Sequence, residues 1–364
     1  MYCADIAVLG VGPAGIAAAL ALSQSGLNVC LIGETVGEGP KVGEFLPASI
    51  LRLFRTLGLD GLEDVLSVEN FLHCNAKKSA WGSEIWTYHD SLRDPEGGGW
   101  HILRHSFEKE LLALAGKRGI PFHEGRLLEV SDNGAQFRVR AQGKQGPFEI
   151  QSPRLIDATG RKAWLVRRVA SAPRKRNTQM AVVGWLNDPH HTIERVTQVK
   201  SVAHGWWYTA PLPGQQRVVA FHGLPDSVSH YFRRPDLFLK QAQRDSLSDG
   251  AALIGPLYSC DASVALSPNI AGKRWLAVGD AALSFDPLSS QGLHFAFYSA
   301  IKARDAICKS QQTDDEGEAY KAMQLYCAQI SDVFAANQQT RALFYNQERR
   351  YRDSPYWSEQ RRNF

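Results

Sequence analysis

The first hydrophobic pattern in the chain is Ile6-Ala7-Val8-Leu9, an unbroken apolar run suited to a central parallel strand buried on both faces. An Ala/Leu-rich helix over 16–25 follows, stopped by Gly26, and residues 28–32 form a second apolar run. Together they predict a β-α-β unit with a right-handed crossover. Amphipathic helices are expected over 46–57 and 107–118, each ended by a glycine, Gly58 and Gly119. The second leads into a short strand over 121–124. Segments 126–130 and 137–141 read as a hairpin, and 154–157 reads as a further buried strand running into Ala158-Thr159-Gly160.

From about 180 to 223 the pattern changes to successive strands, with turn chemistry at Pro213-Gly214, which predicts a separate antiparallel sheet. A buried strand returns at 275–278 and a helix follows over 292–309. The chain therefore reads as an α/β domain formed by 1–165 plus 265–310, interrupted by a β-sheet substrate domain over 166–264. After an acidic linker at 314–318, a helical tail over 311–364 is rich in Gln, Arg and aromatic residues.

Composition narrows the classes. The chain has 364 residues, is 44% hydrophobic and 21% charged, and carries a formal charge of +4, which is ordinary for a globular protein. No basic stripe with interleaved aromatic residues stands out, so nucleic acid is not an expected partner. The six cysteines are scattered without a Cys-x-x-Cys pair, so no metal site is expected and a reducing, cytoplasmic setting fits. The apolar stretch over 6–22 is interrupted by Gly-x-Gly-Pro, a turn that a membrane span has no use for.

That turn carries the first chemistry. Gly10 permits the tight bend, Gly12 lets backbone approach a pyrophosphate, and Gly15 lets helix and strand pack closely. Pro13 and Ala14 open the helix, whose N-terminus faces the phosphate charge. Glu34 closes the second strand, where a carboxylate can hold the ribose hydroxyls of a dinucleotide. Downstream, Gly279-Asp280-Ala281-Ala282 follows a buried strand, and Asp286-Pro287-Leu288-Ser289-Ser290-Gln291-Gly292 opens a helix. Asp280 can accept from a ribitol hydroxyl, while Pro287, Ser290, Gln291 and Gly292 offer backbone amides and a dipole end to a flavin pyrimidine.

Gly10 to Gly15, Asp157-Ala158-Thr159-Gly160 and Gly279-Asp280 together resemble the flavoprotein monooxygenase superfamily built on the hydroxybenzoate-hydroxylase fold. The resemblance implies an FAD/NAD(P)-binding, Rossmann-like domain holding FAD, with Asp157 and Gly160 in the cofactor motif and Arg104 reaching the flavin nucleotide. Lys41, Val42 and Leu127 are further candidate FAD contacts.

Within the superfamily, Lys41-Val42-Gly43-Glu44-Phe45-Leu46-Pro47 resembles the strap of flavin-dependent tryptophan halogenases, and Asp286 to Gly292 resembles their flavin-proximal loop. Departures are visible. Ser284 stands where that branch usually has Phe, Trp206-Trp207-Tyr208-Thr209-Ala210-Pro211 replaces a Trp-x-Trp-x-Ile-Pro segment, and Lys77 or Lys78 matches the catalytic lysine only loosely. The strap, Ser79-Ala80-Trp81-Gly82-Ser83, and the tail from Phe344-Tyr345 to Arg361-Arg362 resemble the flavoproteins that accompany quinone-cofactor amine oxidases (GoxB-like and LodB-like partner flavoproteins, and the hydroxylase paired with quinohemoprotein amine dehydrogenase). That resemblance implies an FAD-dependent monooxygenase using O₂ to hydroxylate a tryptophan in a precursor protein during cysteine tryptophylquinone formation, with a glycine-oxidase type partner. A halogenase or hydroxylase of a small free aromatic is the alternative enzyme, and a non-catalytic flavin-bearing maturation factor is the alternative class.

Glu44 is the candidate acid-base or substrate-orienting group, or else a cap of the following helix. His294 is a candidate proton relay or a structural histidine. Trp81, Trp206, Trp207 and Tyr208 are candidate substrate walls, with sheet core the plainer reading for at least two of the 206–208 run. The arginines and aromatics of the tail suit either a docking surface or internal packing.

Overall fold

The computed structural model describes residues 2–362 other than 36, 38, 94, 95, 170–174, 189–193, 246, 249 and 250. A five-stranded parallel sheet lies at the centre of the nucleotide-binding half, in the order Trp275–Ala277, Arg154–Asp157, Ile6–Leu9, Val29–Gly33, Phe122–Glu124. Ile6–Leu9 is buried throughout because it has a strand on each side and helices on its face. The helices Pro13–Ser23 and Gly292–Gln311 pack directly on each other, the first lined almost entirely with Ala, Leu and Ile. A smaller sheet contains the expected hairpin, Arg126–Asp132 against Phe137–Gly143.

The second large sheet has eight strands. Met180–Asn187, Gln216–Gly223, Gly205–Leu212 and Val196–Val202 run antiparallel in that spatial order. The sheet also extends beyond the boundaries read from sequence. Ala76–Ala80 pairs in parallel with Val196–Val202, and Thr87–Asp90 adds an outer strand, so residues 76–90 join the sheet assigned to 166–264. Nothing local reveals this, because the partner lies over a hundred residues away in sequence.

Two other expectations change. The helix expected over 46–57 is only Ile50–Thr56, because Phe45–Leu46 is drawn into a small antiparallel sheet with Trp100–Ile102 and Phe71–His73. The acidic stretch at 314–318 is not a linker. Asp315 caps the helix Glu316–Gln347 by accepting from the Gly317 amide at 2.7 Å, and the acidic residues sit in its first turn, where the helix dipole favours them. That long helix packs along Gly292–Gln311, and the Tyr326 hydroxyl donates to the Ala277 carbonyl at the end of the parallel sheet. A final helix, Pro355–Arg362, folds back on the large sheet through fully buried Tyr356 and Trp357. No helix of the described residues is long and apolar enough to cross a membrane.

Candidate active site

A cavity of about 640 Å³ runs from the Gly10 turn to the inner face of the large sheet. At its first end, Gly10 has φ +111°, and a Cβ there would lie 2.3 Å from the Ala158 carbonyl oxygen. A Cβ on Gly15 would lie 2.0 Å from the Gly10 carbonyl oxygen, so these two glycines let the turn, the helix and the 157–160 loop pack together. Gly12 differs, because a Cβ there meets nothing within 4 Å. It faces the open cavity beside Pro13 and Ala14 at the start of the helix. Gly160 and Gly292 have the same open space. Glu34, Lys41, Val42, Arg104, Leu127, Asp280, Pro287, Ser290 and Gln291 also line this cavity. A glycine cradle at a helix N-terminus, with Glu34 and Asp280 lining the same hollow, fits the pyrophosphate, ribose and ribitol groups of FAD.

The strap is fixed through Glu108, a residue that the sequence did not single out. Its carboxylate is buried and accepts from Lys41 Nζ at 2.6 Å and from Arg104 Nε at 2.7 Å. Burial alone would raise the Glu108 pKa, but the two cations hold it below the usual carboxylate range. Arg104 also donates from Nη1 to the Gly43 carbonyl at 3.0 Å, and the Ile102 amide donates to the Glu44 carbonyl. Glu44 is thereby held in the cavity wall with its carboxylate accepting from the Gly43 amide at 2.9 Å. It does not cap the following helix, which begins at Ile50 with no side-chain cap.

The loop at 286–292 is fixed from behind by the long C-terminal helix. One oxygen of Asp286 accepts from the Leu288 amide at 3.0 Å. The other accepts from Arg341 Nε at 2.9 Å and from the Tyr345 hydroxyl at 2.8 Å, all in a buried environment. The Tyr345 hydroxyl lies 3.2 Å from that of Tyr356, which accepts from Trp206 Nε1 at 2.9 Å. A continuous polar chain thus joins the loop to the large sheet. On the facing side Arg161 donates to the Ser263 and Phe285 carbonyls and lies 3.6 Å from Asp280.

At the sheet end, alternation along Gly205–Leu212 separates the aromatic run. Trp206 and Tyr208 face the cavity, whereas Trp207 points to the opposite face and packs against Phe221, Tyr231 and Phe238. Trp207 is core, not substrate wall. His222, which the sequence reading missed, pairs across strands with Trp206 and stacks on it, with ring centroids 3.8 Å apart and planes 10° apart. Between them the floor is small: Ala181, Val183, Val218, Ala220 and Ala262. The Tyr208 hydroxyl is buried with Glu44 nearby, and burial first and that carboxylate second push its pKa well up.

Other candidates fall elsewhere. Asp157 does not line the cavity; its carboxylate accepts from the amides of Thr159, Leu165 and Val166 and from the Thr159 hydroxyl, organising the loop that carries Gly160. His294 is half-buried outside the lining, and burial lowers its pKa. Trp81 packs edge-on to Trp206, Tyr345 and Trp357 and donates to the Phe344 carbonyl at 2.7 Å, behind the wall rather than in it. Neither Lys77 nor Lys78 lines the cavity; their ammonium groups lie over the rings of Phe45 and Trp86. Much of the tail is internal as well, since Tyr345, Tyr356, Trp357, Arg341 and Gln360 are buried.

Comparison with known proteins agrees with this geometry. The tryptophan halogenase family model matches residues 76–364. The chain is 27% identical over 363 residues to the putative FAD-dependent oxidoreductase LodB of Marinomonas mediterranea, covering 97% of this chain and 95% of that protein. Its fold matches the flavin-dependent halogenase CmlS with a TM-score of 0.85 at 22% identity, covering 99% of this chain and 68% of CmlS. It also matches QhpG, a peptidyl tryptophan dihydroxylase essential for tryptophylquinone cofactor biogenesis, with a TM-score of 0.76 at 22% identity, covering 98% of this chain and 78% of QhpG. The chain belongs to the tryptophan halogenase family, and it is an FAD-dependent oxidoreductase.

Proposed function

We propose that this member of the tryptophan halogenase family is a monooxygenase that hydroxylates a tryptophan side chain, presented by a precursor polypeptide during cysteine tryptophylquinone formation. The observation that carries the reading is the sheet end of the cavity: a floor of Ala181, Val183, Val218, Ala220 and Ala262 beside Trp206, Tyr208 and His222, with the lining lysines Lys41 and Lys162 belonging to the strap and the Gly160 loop. The fold shared with a peptidyl tryptophan dihydroxylase supports the choice of substrate, and similarity over nearly the full length of the putative FAD-dependent oxidoreductase LodB supports the flavin chemistry.

When bound, FAD would supply two electrons for the activation of O₂, so that one oxygen atom enters the ring and the other leaves as water. This chain's residues orient the ring between Trp206 and Tyr208, exclude water with the apolar floor, and set Glu44 beside the Tyr208 hydroxyl as the group that takes up a proton.

The test is incubation of the reduced holoprotein with ¹⁸O₂, bromide and a tryptophan-containing precursor, followed by mass spectrometry of the tryptophan. Labelled oxygen in the ring supports the proposal. Bromine in the ring instead establishes halogenation, the reading favoured by the family model alone. A precursor that binds, matures and acquires neither label in this step points to a maturation factor.

A further inference from the structure

Behind the cavity wall lies a set of aromatic rings that the proposed chemistry does not use. Trp206, which lines the cavity, has its ring centroid 6.2 Å from that of Trp81. Trp81 in turn lies 5.3 Å from Trp357 and 5.8 Å from Tyr345, and Tyr356 completes the set at 5.2 Å from Trp357. Trp206, Tyr345, Tyr356 and Trp357 are buried, whereas Trp81 is partly exposed beside the exposed Phe344. The shortest line from the cavity to solvent therefore runs through two rings in edge contact, Trp206 and then Trp81.

Packing alone does not call for this composition. On the opposite face of the same sheet Trp207 packs on Phe221 and Phe238, with Tyr231 beside them. On the cavity side every ring of the set is Trp or Tyr, the aromatic side chains that give up one electron most readily. The protons are placed for a relay as well. Trp206 Nε1 donates to the Tyr356 hydroxyl at 2.9 Å, and a phenol hydroxyl is no base near neutrality. An oxidised Trp206 thus keeps its proton and its oxidising power, and only an electron from a neighbouring ring restores it. Trp81 Nε1 donates to the Phe344 carbonyl at 2.7 Å, at the surface, where a reductant outside the protein can reach the ring.

We infer that Trp206 and Trp81 form a one-electron conduit that drains oxidising equivalents from the flavin cavity to the surface. The oxidant is light-excited oxidised flavin, or a radical oxygen species released when the flavin reacts with O₂ and no substrate is present. It gains one electron, which Trp206 loses. Trp81 passes one electron to Trp206 and is itself restored by a reductant outside the protein. The net transfer is one electron from that reductant to the cavity oxidant, with no bond made or broken in the chain. The conduit spares His222 and Cys260, two oxidisable residues that line the cavity. It rests on the flavin and not on a tryptophan substrate or on oxygen insertion, so it stands or falls separately from the proposed reaction.

The experiment has two arms. In the first, anaerobic oxidised holoprotein is illuminated with blue light in the presence of EDTA as a sacrificial donor, and loss of the flavin's visible band is followed. The wild type is expected to bleach faster as EDTA is raised. Trp206→Phe and Trp81→Phe are expected to lose most of that dependence, and Trp81→Tyr, whose ring is still oxidisable, to recover it. Trp164→Phe, which changes a cavity-lining ring outside the set, is expected to behave as the wild type. In the second arm the reduced holoprotein is mixed with O₂ without substrate, and oxygen adducts are located by peptide mass spectrometry. They are expected on Trp81 in the wild type and on Cys260 and His222 in Trp81→Phe. Flavin content and thermal unfolding establish that each variant is folded, and Trp206→Phe reads the first step even where Trp81→Phe does not fold. The inference is overturned if wild type and the two Phe variants bleach alike, if Trp164→Phe removes the EDTA dependence, or if the adducts map alike in wild type and Trp81→Phe.

Discussion

Replacing Arg341 by Met is the sharpest test of how the flavin loop is held. Arg341 and Asp286 are ion-paired at 2.9 Å with side chains only 3% and 2% exposed. Solvent therefore screens the pair little, and its loss strands a charge. The remaining partners of Asp286 are the Tyr345 hydroxyl and the Leu288 amide, which are not enough to stabilise a buried carboxylate fully. Breaking one side of such a pair costs about 3–5 kcal/mol, a large share of the roughly 5–15 kcal/mol by which domains are stable. At about 2–4 °C per kcal/mol, thermal unfolding should fall by on the order of 10 °C. Because Asp286 begins the loop that carries Ser290 at φ +51°, FAD affinity should fall as well, by roughly tenfold. Differential scanning fluorimetry of the apo- and holoprotein separates the two effects. The double variant Asp286→Asn, Arg341→Met should recover most of the stability but not the affinity, since the charge is gone while the loop remains unanchored. An Arg341→Met protein that unfolds within about 2 °C of the wild type and binds FAD normally would refute the role assigned to this pair.

The cofactor turn makes a paired prediction: Gly12→Ala should leave the apoprotein's stability nearly unchanged yet weaken FAD binding strongly, whereas Gly10→Ala should destabilise the fold by about 3 kcal/mol or more through its overlap with Ala158 and its positive φ. Equal effects of the two on chemical denaturation would contradict the distinction. For pH, burial lowers His222 to about 4 and His101 to about 3, below the usual value of 6.5, so the unfolded chain binds more protons in this range. Their stabilisation is present in full above pH 6.5 and is lost as pH falls toward those values, by at most roughly 3 kcal/mol for His222 and roughly 5 kcal/mol for His101; His101→Gln should flatten the urea midpoint between pH 6.5 and 4.5. Finally, Glu108→Gln should free Lys41 and Arg104 from the strap, and protease cleavage near residues 41–44 should accelerate; Arg104, 14% exposed, carries more of the loss than Lys41 at 38%. Unchanged cleavage would show that the Gly43 carbonyl contact suffices.

What the sequence disclosed was mainly local. The Gly10 to Gly15 turn, Glu34 and Asp280 follow from strand–turn–helix punctuation, and all but Gly15 line the cavity. The separation of Trp207 from Trp206 and Tyr208 was also available, because side chains alternate along any strand. His222 was not, since its place beside Trp206 depends on cross-strand register. Asp157 was misread because an Asp at a strand end suits either a cofactor or a loop, and only the amides of Leu165 and Val166 decide between them. Arg341, Tyr345 and Gln360 carry no local sign of burial; it is intelligible only with Asp286 and Tyr356 in place.

The insertion of Ala76–Ala80 beside Val196–Val202 has a mechanical consequence. A chain that leaves the nucleotide-binding half, adds strands to the other sheet and returns before that sheet's remaining strands are reached ties the halves like a lace. Hinge rotation between them has to bend several chain crossings together, which a single connecting linker would not require.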